Sequence, residues 1–174
     1  MEDTLAVLNA LVREGVVEQY AIGGAVAAIA WVEPFDTVDL DVFVYLPASV
    51  HPLHPLEGVI AYLRQRGYEF EGEFINVEGV PVQFLPAEDA TGLRKAALDR
   101  ALEYAYLDQV TTRIITPEYL IALALDTHRS KDYERVFRLL TQAPVDRGLV
   151  DELVGRYHLQ PQWEVFTRRY PECA

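Results

Sequence analysis

Cysteine is nearly absent from this chain. The single Cys173 stands next to the last residue, so no intrachain disulfide can form, and a reducing, cytoplasmic setting is the expectation. Lysine is almost as scarce: the 15 basic residues are nearly all arginine, and they face 27 acidic ones. The net charge of −12 opposes phosphate backbones, and no basic run exceeds the pairs Arg94-Lys95 and Arg168-Arg169. Generic nucleic-acid binding is therefore not expected, whereas a nucleotide held through a metal is compatible with that field. No apolar run reaches the roughly 18 residues that a membrane helix needs. The opening MEDTLAVLNALVREG is acidic and amphipathic, unlike the basic-then-apolar order of a secretory leader. Internal repeats and low-complexity segments are missing too. What the chain has in quantity is apolar side chains, 51% of its 174 residues, enough for the core of one domain or one domain with a helical annex.

The most informative stretch is IGGAVAAIAWVEPFDTVDLDVFVYL, residues 22–46. A glycine pair, Gly23-Gly24, follows a short apolar segment and precedes a helix rich in alanine. A strand over Val38–Leu46 then carries Asp39 and Asp41. Side chains at i and i+2 of a strand share a face, so the two carboxylates project together with their Cα atoms roughly 6–7 Å apart. Val38, Leu40, Val42 and Val44 are expected on the opposite face. Paired carboxylates repel each other unless a positive charge sits between them, and a divalent cation such as Mg²⁺ suits hard oxygen donors. Glycines before a helix leave backbone N–H groups open to a phosphate. Together these features read as a site for a metal–nucleoside triphosphate. Asp-x-Asp alone would equally describe an edge strand with two solvated acids; the glycine pair at this distance is what favours a site.

Along the rest of the chain, hydrophobic spacing predicts a first helix over residues 2–18, a short strand at Tyr20–Ile22, and helices at Gly24–Trp31 and Leu56–Arg66. Two strands, Tyr68–Val77 and Val80–Leu85, are expected to form a hairpin around Glu78-Gly79. Ala90–Leu107 reads as a helix and Val110–Ile115 as a strand. Thr116-Pro117-Glu118 is a helix start, with Thr116 as N-cap. That helix breaks near Arg129-Ser130 and continues to Leu140, and two more helices follow Pro144. His51 and His54, at HxxH spacing between prolines, read as a solvated loop rather than a metal site. Tyr62, Tyr68, Tyr104, Tyr106 and Tyr119 read as half-buried core or interface residues rather than base-stacking platforms. The order of elements predicts an α+β fold, a small mixed sheet with packed helices and a helical C-terminal part, divided as residues 1–115 and 116–174.

Gly23-Gly24 followed by Asp39-x-Asp41 resembles the signature of the nucleotidyltransferase superfamily, the polymerase-β-like fold. It is most similar to the small prokaryotic branch that includes abortive-infection toxins and nucleotidyltransferase antitoxins. Thr37, two residues before Asp39, fits that branch, and TPEYLIALAL…HRSKDYERVFRLL resembles its C-terminal helical segment, with Arg129, Lys131 and Asp132 at the family's charged positions. The resemblance covers roughly residues 15–140. It implies Mg²⁺ on Asp39 and Asp41, a nucleoside triphosphate contacted by Gly23, Gly24, Thr37, Arg129 and Lys131, and an acceptor, protein or RNA, that receives the nucleotidyl group.

Three departures from that pattern concern charge. Gln83, on the strand GVPVQFLPA, stands where the family keeps a third carboxylate, and its amide oxygen offers a metal no negative charge. Asp36 stands in a loop that usually holds a cation, and Ala124 where a lysine usually enters the cleft. Each lost ammonium near a polyphosphate removes a contact worth roughly 1.5–3 kcal/mol. Glu73 and Glu78 are the acids near enough in sequence to compensate at Gln83. Two functions follow: an active nucleotidyltransferase, or a catalytically degenerate relative serving as a binding or antitoxin-like regulatory module. An acidic scaffold without a ligand ranks last. The charge distribution generates one prediction of its own. Generic DNA and RNA should show no gel shift at about 150 mM salt, and micromolar or tighter binding would overturn this reading.

Overall fold

The computed structural model describes residues 1–107 and 110–173, without the side chain of Lys131. In chain order the elements are α1 (Glu2–Arg13), β1 (Gln19–Ile22), α2 (Gly24–Ile29), β2 (Leu40–Tyr45), α3 (Glu57–Gln65), β3 (Phe70–Glu71), β4 (Phe74–Val77) and β5 (Val80–Pro86). They continue with α4 (Leu93–Asp99), β6 (Leu102–Tyr106), β7 (Val110–Ile114), α5 (Pro117–Thr127), α6 (Ser130–Gln142), α7 (Arg147–Arg156) and α8 (Gln160–Arg169). The strands form one mixed sheet in the order β3-β4-β5-β2-β1-β7-β6. The fold is α+β, as the order of hydrophobic segments implies.

Both faces of the sheet are covered. Leu40, Val42 and Val44 are fully buried on one face. Tyr20 pairs with Val44 across β1 and β2, so it shares that face, and its hydroxyl donates to Asn9 of α1 at 2.8 Å. Helix α1 therefore packs there, with α3 beside it, where Arg66 reaches Glu14 at 2.8 Å. The opposite face carries Asp41, Phe43 and Tyr45, and helices α2 and α4 pack on it. Helix α5 lies on α2 and α4 and also contacts α6, α7 and α8. Its sequence PEYLIALALDT buries residues on every side, as an all-round apolar helix must.

Four expectations change. The predicted helix over 90–107 splits into α4 and the edge strand β6. Leu98, Ala101, Leu102 and Ala105 satisfy a helical period, but Leu102, Tyr104 and Tyr106 satisfy a period of two, and β6 pairs with β7. The helix ends where Arg113 of β7 donates to the carbonyls of Leu98 and Ala101 at 3.2 and 2.8 Å, a cation on the negative helix end. The predicted strand 68–77 is broken at Gly72, whose φ of +65° turns β3 back on β4. Helix α1 stops at Arg13, because residues 15–18 lead into β1. Val38 and Asp39 lie outside β2, which begins at Leu40, so of the two aspartates only Asp41 stands on the strand, and Val38 is 81% exposed rather than on the buried face with Leu40. The hairpin at Glu78-Gly79 forms as expected: both residues have positive φ and Val77 pairs with Val80.

Glu118 ties the central helix to the C-terminal ones. It is 8% exposed, and its carboxylate accepts the Asp146 N–H at 3.0 Å, while Asp146 caps α7 by accepting from the Leu149 N–H. Replacing Glu118 by Ala leaves a partly buried donor unmet and should cost about 1–3 kcal/mol in urea unfolding. Glu118→Gln, which keeps an acceptor, should recover most of that loss. Equal stability of the two variants would show that the bond contributes nothing.

Candidate functional site

Strands β2 and β5 run parallel in the middle of the sheet, in a register that puts Asp41 opposite Gln83. Parallel neighbours in register point the same way, so the two side chains emerge together on the face covered by α2 and α5. They open into a cleft of about 820 Å³, which Asp39 and Thr37 also line from the segment before β2. The structure thus brings Thr37, Asp39, Asp41 and Gln83 to one place. Gly24 lines the same cleft, and Gly23 lies buried just beneath it.

The glycine pair has a steric cause. Gly23 donates its N–H to the Asp41 carbonyl at 2.9 Å, and a methyl at Gly23 would overlap the Phe43 ring. Gly24 has φ +57°, and a methyl there would overlap the carboxylate of Asp41. The Asp41 side chain therefore stands against the bare backbone at the start of α2. The helix itself spans six residues, GAVAAI, too short for a strong end charge.

A second carboxylate wall element comes from the β3–β4 turn. Glu73 follows Gly72 and lines the cleft, and its Oε2 accepts from Gln83 Nε2 at 2.8 Å. Gln83 thus spends its donor on an acid of the hairpin, leaving its amide oxygen as the acceptor. Glu78 is elsewhere: it takes the Tyr68 hydroxyl at 2.5 Å, and that bond pushes the Tyr68 pKa up to about 12. Among the described residues no three of His, Cys, Asp and Glu gather as a metal would require. His51 and His54 stack on each other with ring centroids 6.0 Å apart, away from the cleft.

The facing wall is basic, and most of it escaped the sequence reading. Arg129, Arg135 and Arg138 line the cleft from the start and face of α6, and Arg94 from α4. Arg129 and Arg135 are anchored by Asp132, 3% exposed, which accepts from Thr127 Oγ1 at 2.7 Å and pairs with Arg135 at 3.5 Å and Arg129 at 3.9 Å. Arg135 Nε is buried without a hydrogen-bond partner among the described residues, so that guanidinium keeps a donor unmet. Arg138 pairs with Glu134 at 2.9 Å and covers the Phe35 ring at 5.3 Å. The signal was present in the sequence as Arg129, Asp132, Arg135 and Arg138, each three residues from the next and hence on one side of a helix. The side chain of Lys131 lies outside the described residues. Asp36, Ala124 and Asp126 line the cleft as well, and burial together with Asp89 raises the Asp126 pKa.

No protein-family model matches the chain, and no curated protein matches its sequence at a significant level. Solved structures do share its fold. One is an antigenic nucleotidyltransferase-like protein from Paracoccidioides brasiliensis, with a TM-score of 0.63 at 12% identity over 98% of this chain and 89% of that one. Another is the antibiotic-resistance factor ANT(2'')-Ia in solution, with a TM-score of 0.55 at 15% identity over 99% of this chain and 100% of that one. At such identities the likeness concerns the fold, which is nucleotidyltransferase-like.

The contact between Asp41 and Gly24 carries a test. Gly24→Ala forces a side chain into a left-handed backbone conformation and against the carboxylate, and it should cost about 1–3 kcal/mol in urea unfolding. Gly58→Ala, in α3 with open space around it, should be neutral or slightly stabilising. Equal effects would show that Asp41 is not held against Gly24.

Proposed function

We propose that the cleft binds a magnesium–nucleoside triphosphate and transfers its nucleotidyl group to a hydroxyl acceptor. The observation that carries this reading is the opposition of two walls: Asp39 and Asp41 beside Gln83 on the sheet, and Arg129, Arg135 and Arg138 on the helices. Carboxylates alone would repel a triphosphate and arginines alone would not need them, whereas a metal–polyphosphate complex satisfies both.

The donor set fits one magnesium rather than a cage of acids. Asp39 and Asp41 would hold the ion with the Gln83 amide oxygen alongside, and the ion would supply the positive charge that offsets the triphosphate. The arginines then bind the outer phosphates, with the exposed Arg129 at the entrance and Arg135 deeper in, and the sequence resemblance adds Lys131 to them. Thr37 and Gly24 border the same phosphates. With the triphosphate held between the walls, the acceptor oxygen attacks the α-phosphorus in line, and pyrophosphate leaves with the electrons of the broken bond. The Asp39 oxygen not engaged with the ion would take the acceptor's proton.

A second reading is favoured by the Gln83–Glu73 hydrogen bond. It puts a neutral amide where a charge would help catalysis, so on this reading the cleft binds its nucleotide and turns it over slowly or not at all. That is the behaviour of a regulatory module, and the antitoxin-like role implied by the sequence resemblance would take this form.

Calorimetric titration with Mg²⁺ and each of ATP, GTP, CTP and UTP tests the reading. At least one should bind saturably and only with metal, and Asp41→Asn should weaken that binding at least tenfold, or about 1.4 kcal/mol. Gln83→Asp should strengthen Mg²⁺ binding by at least about tenfold, because a formal charge about 4 Å from a divalent ion is worth a few kcal/mol before desolvation. Absence of binding by all four nucleotides overturns the proposal, and pyrophosphate release separates the enzyme from the module.

A further inference from the structure

A second cavity, of about 370 Å³, lies across the Thr37–Asp39 segment from the cleft. Its floor is aliphatic, formed by Leu5 of α1, Ile22, Val26 and Ile29 of α2, Leu40 and Ile114. Tyr104 and Tyr106, two residues apart on the edge strand β6, line its rim. Neither tyrosine hydroxyl has a hydrogen-bond partner among the described residues. Thr112 also lines the cavity, but its hydroxyl already donates to Tyr20 at 3.0 Å. Thr37, Val38 and Asp39 belong to both cavities.

We propose that this cavity seats the acceptor, a small uncharged molecule with an apolar or aromatic body and a free hydroxyl. The proposal rests on the reading of the cleft as a nucleotidyl-transfer site. The volume falls within the range of small-ligand sites, and an apolar floor with a few polar groups at the rim is their usual make-up. Asp39 is the one charged side chain among its described lining residues. Among the described residues no lysine, arginine or histidine lines it, so a phosphorylated or carboxylated acceptor would come up against the Asp39 carboxylate without a basic side chain to offset it, and a polycation would find a single partner. A neutral ring or chain loses nothing there and leaves its hydroxyl between the two tyrosines and Asp39.

Continuity through Asp39 gives the cavity its chemical role. A hydroxyl presented at that carboxylate stands where the two cavities meet, on the side of the metal-bound triphosphate. Its oxygen bonds to the α-phosphorus while the bond from that phosphorus to the bridging oxygen breaks. Pyrophosphate carries off the electron pair, and the hydroxyl proton passes to the second oxygen of Asp39. The product is the acceptor's nucleotidyl ester.

2-Naphthol, a neutral two-ring hydroxyl compound, serves as the probe. In methyl-resolved NMR of the whole chain it should shift Leu5, Ile22, Val26, Ile29 and Ile114 saturably, and leave Leu120 and Leu123 of the cleft in place. 2-Naphthyl phosphate should bind at least tenfold more weakly. Val26→Trp, which fills the cavity, and Tyr104→Glu, which charges its exposed rim without touching the core, should each weaken 2-naphthol binding at least tenfold and leave nucleotide binding intact. Shifts confined to cleft methyls, or unchanged affinity in both folded variants, overturn the site. For the acceptor role, a panel of one- and two-ring alcohols and phenols should stimulate pyrophosphate release from Mg–ATP, and both variants should lose that stimulation. A protein that binds ATP and 2-naphthol, yet responds to no member of the panel, overturns the acceptor role. Failure to bind any nucleotide overturns the reading of the cleft instead, and the methyl shifts still decide the site.

Discussion

Strands β2 and β5 run parallel through the centre of the sheet, and their register determines where every polar group of the cleft can stand. Both strands are buried on the α1 side by Leu40, Val42, Val44 and Val82. A slip of one residue would turn those side chains toward the cleft and drive Asp41 and Gln83 into the apolar layer. The hydrophobic core therefore holds the polar site in place, at a cost in core burial for any alternative pairing. Parallel strands need a long connection, and here it contains α3 and the β3–β4 hairpin, which returns Glu73 to the cleft beside Gln83.

Charge is separated across the cleft by the layers of the fold. Among the described charged residues of its lining, the sheet side and its turns bring only acids, Asp36, Asp39, Asp41 and Glu73, whereas the helices bring all four arginines together with Asp126, Asp132 and Glu134. The separation depends on Asp132, which is nearly fully buried and holds Arg129 and Arg135 at the elbow between α5 and α6. Removing one member of such a buried ion group leaves the others uncompensated, so the elbow and the basic wall stand or fall together. The close approach of Asp41 to Gly24 works in the same way on the opposite wall, since a side chain at Gly24 would displace the carboxylate.

Similarity to the two solved nucleotidyltransferase-like structures extends over nearly the whole chain, although identity is 12% and 15%. What survives such divergence is the arrangement of layers, which many side-chain sets can satisfy. Among the described residues no helix is long and apolar enough to cross a membrane. The polar detail of this chain is Gln83 bonded to Glu73, Asp36 and Ala124 on the cleft wall, and a second, apolar cavity that meets the first at Asp39.

Much of this was readable from residue order, because it depends on local periodicity. The alternation that turns Asp41 away from Leu40 and Val42, the glycine pair before a helix of alanines, the paired positive-φ residues Glu78-Gly79 and the start at Thr116-Pro117 are each determined by neighbours a few positions away. Pairing of the Asp41 strand with the Gln83 strand was expected from the resemblance, and the structure has it. Tertiary structure decided the rest. Residues 102–106 suit a helix or a strand by spacing, and only the exposed edge of β7 made them a strand. Glu73 joined the cleft because Gly72 reverses the chain and Gln83, ten residues beyond Glu73, offers a donor. Arg135 and Arg138 became a wall because α6 turns at a buried Asp132 to pack on α5 and α2 beside the cleft, and helical spacing alone says which side they share but not what that side meets. The second cavity brings together α1, α2, β5, β6 and β7, whose lining residues span positions 1 to 114, and no local pattern records that meeting.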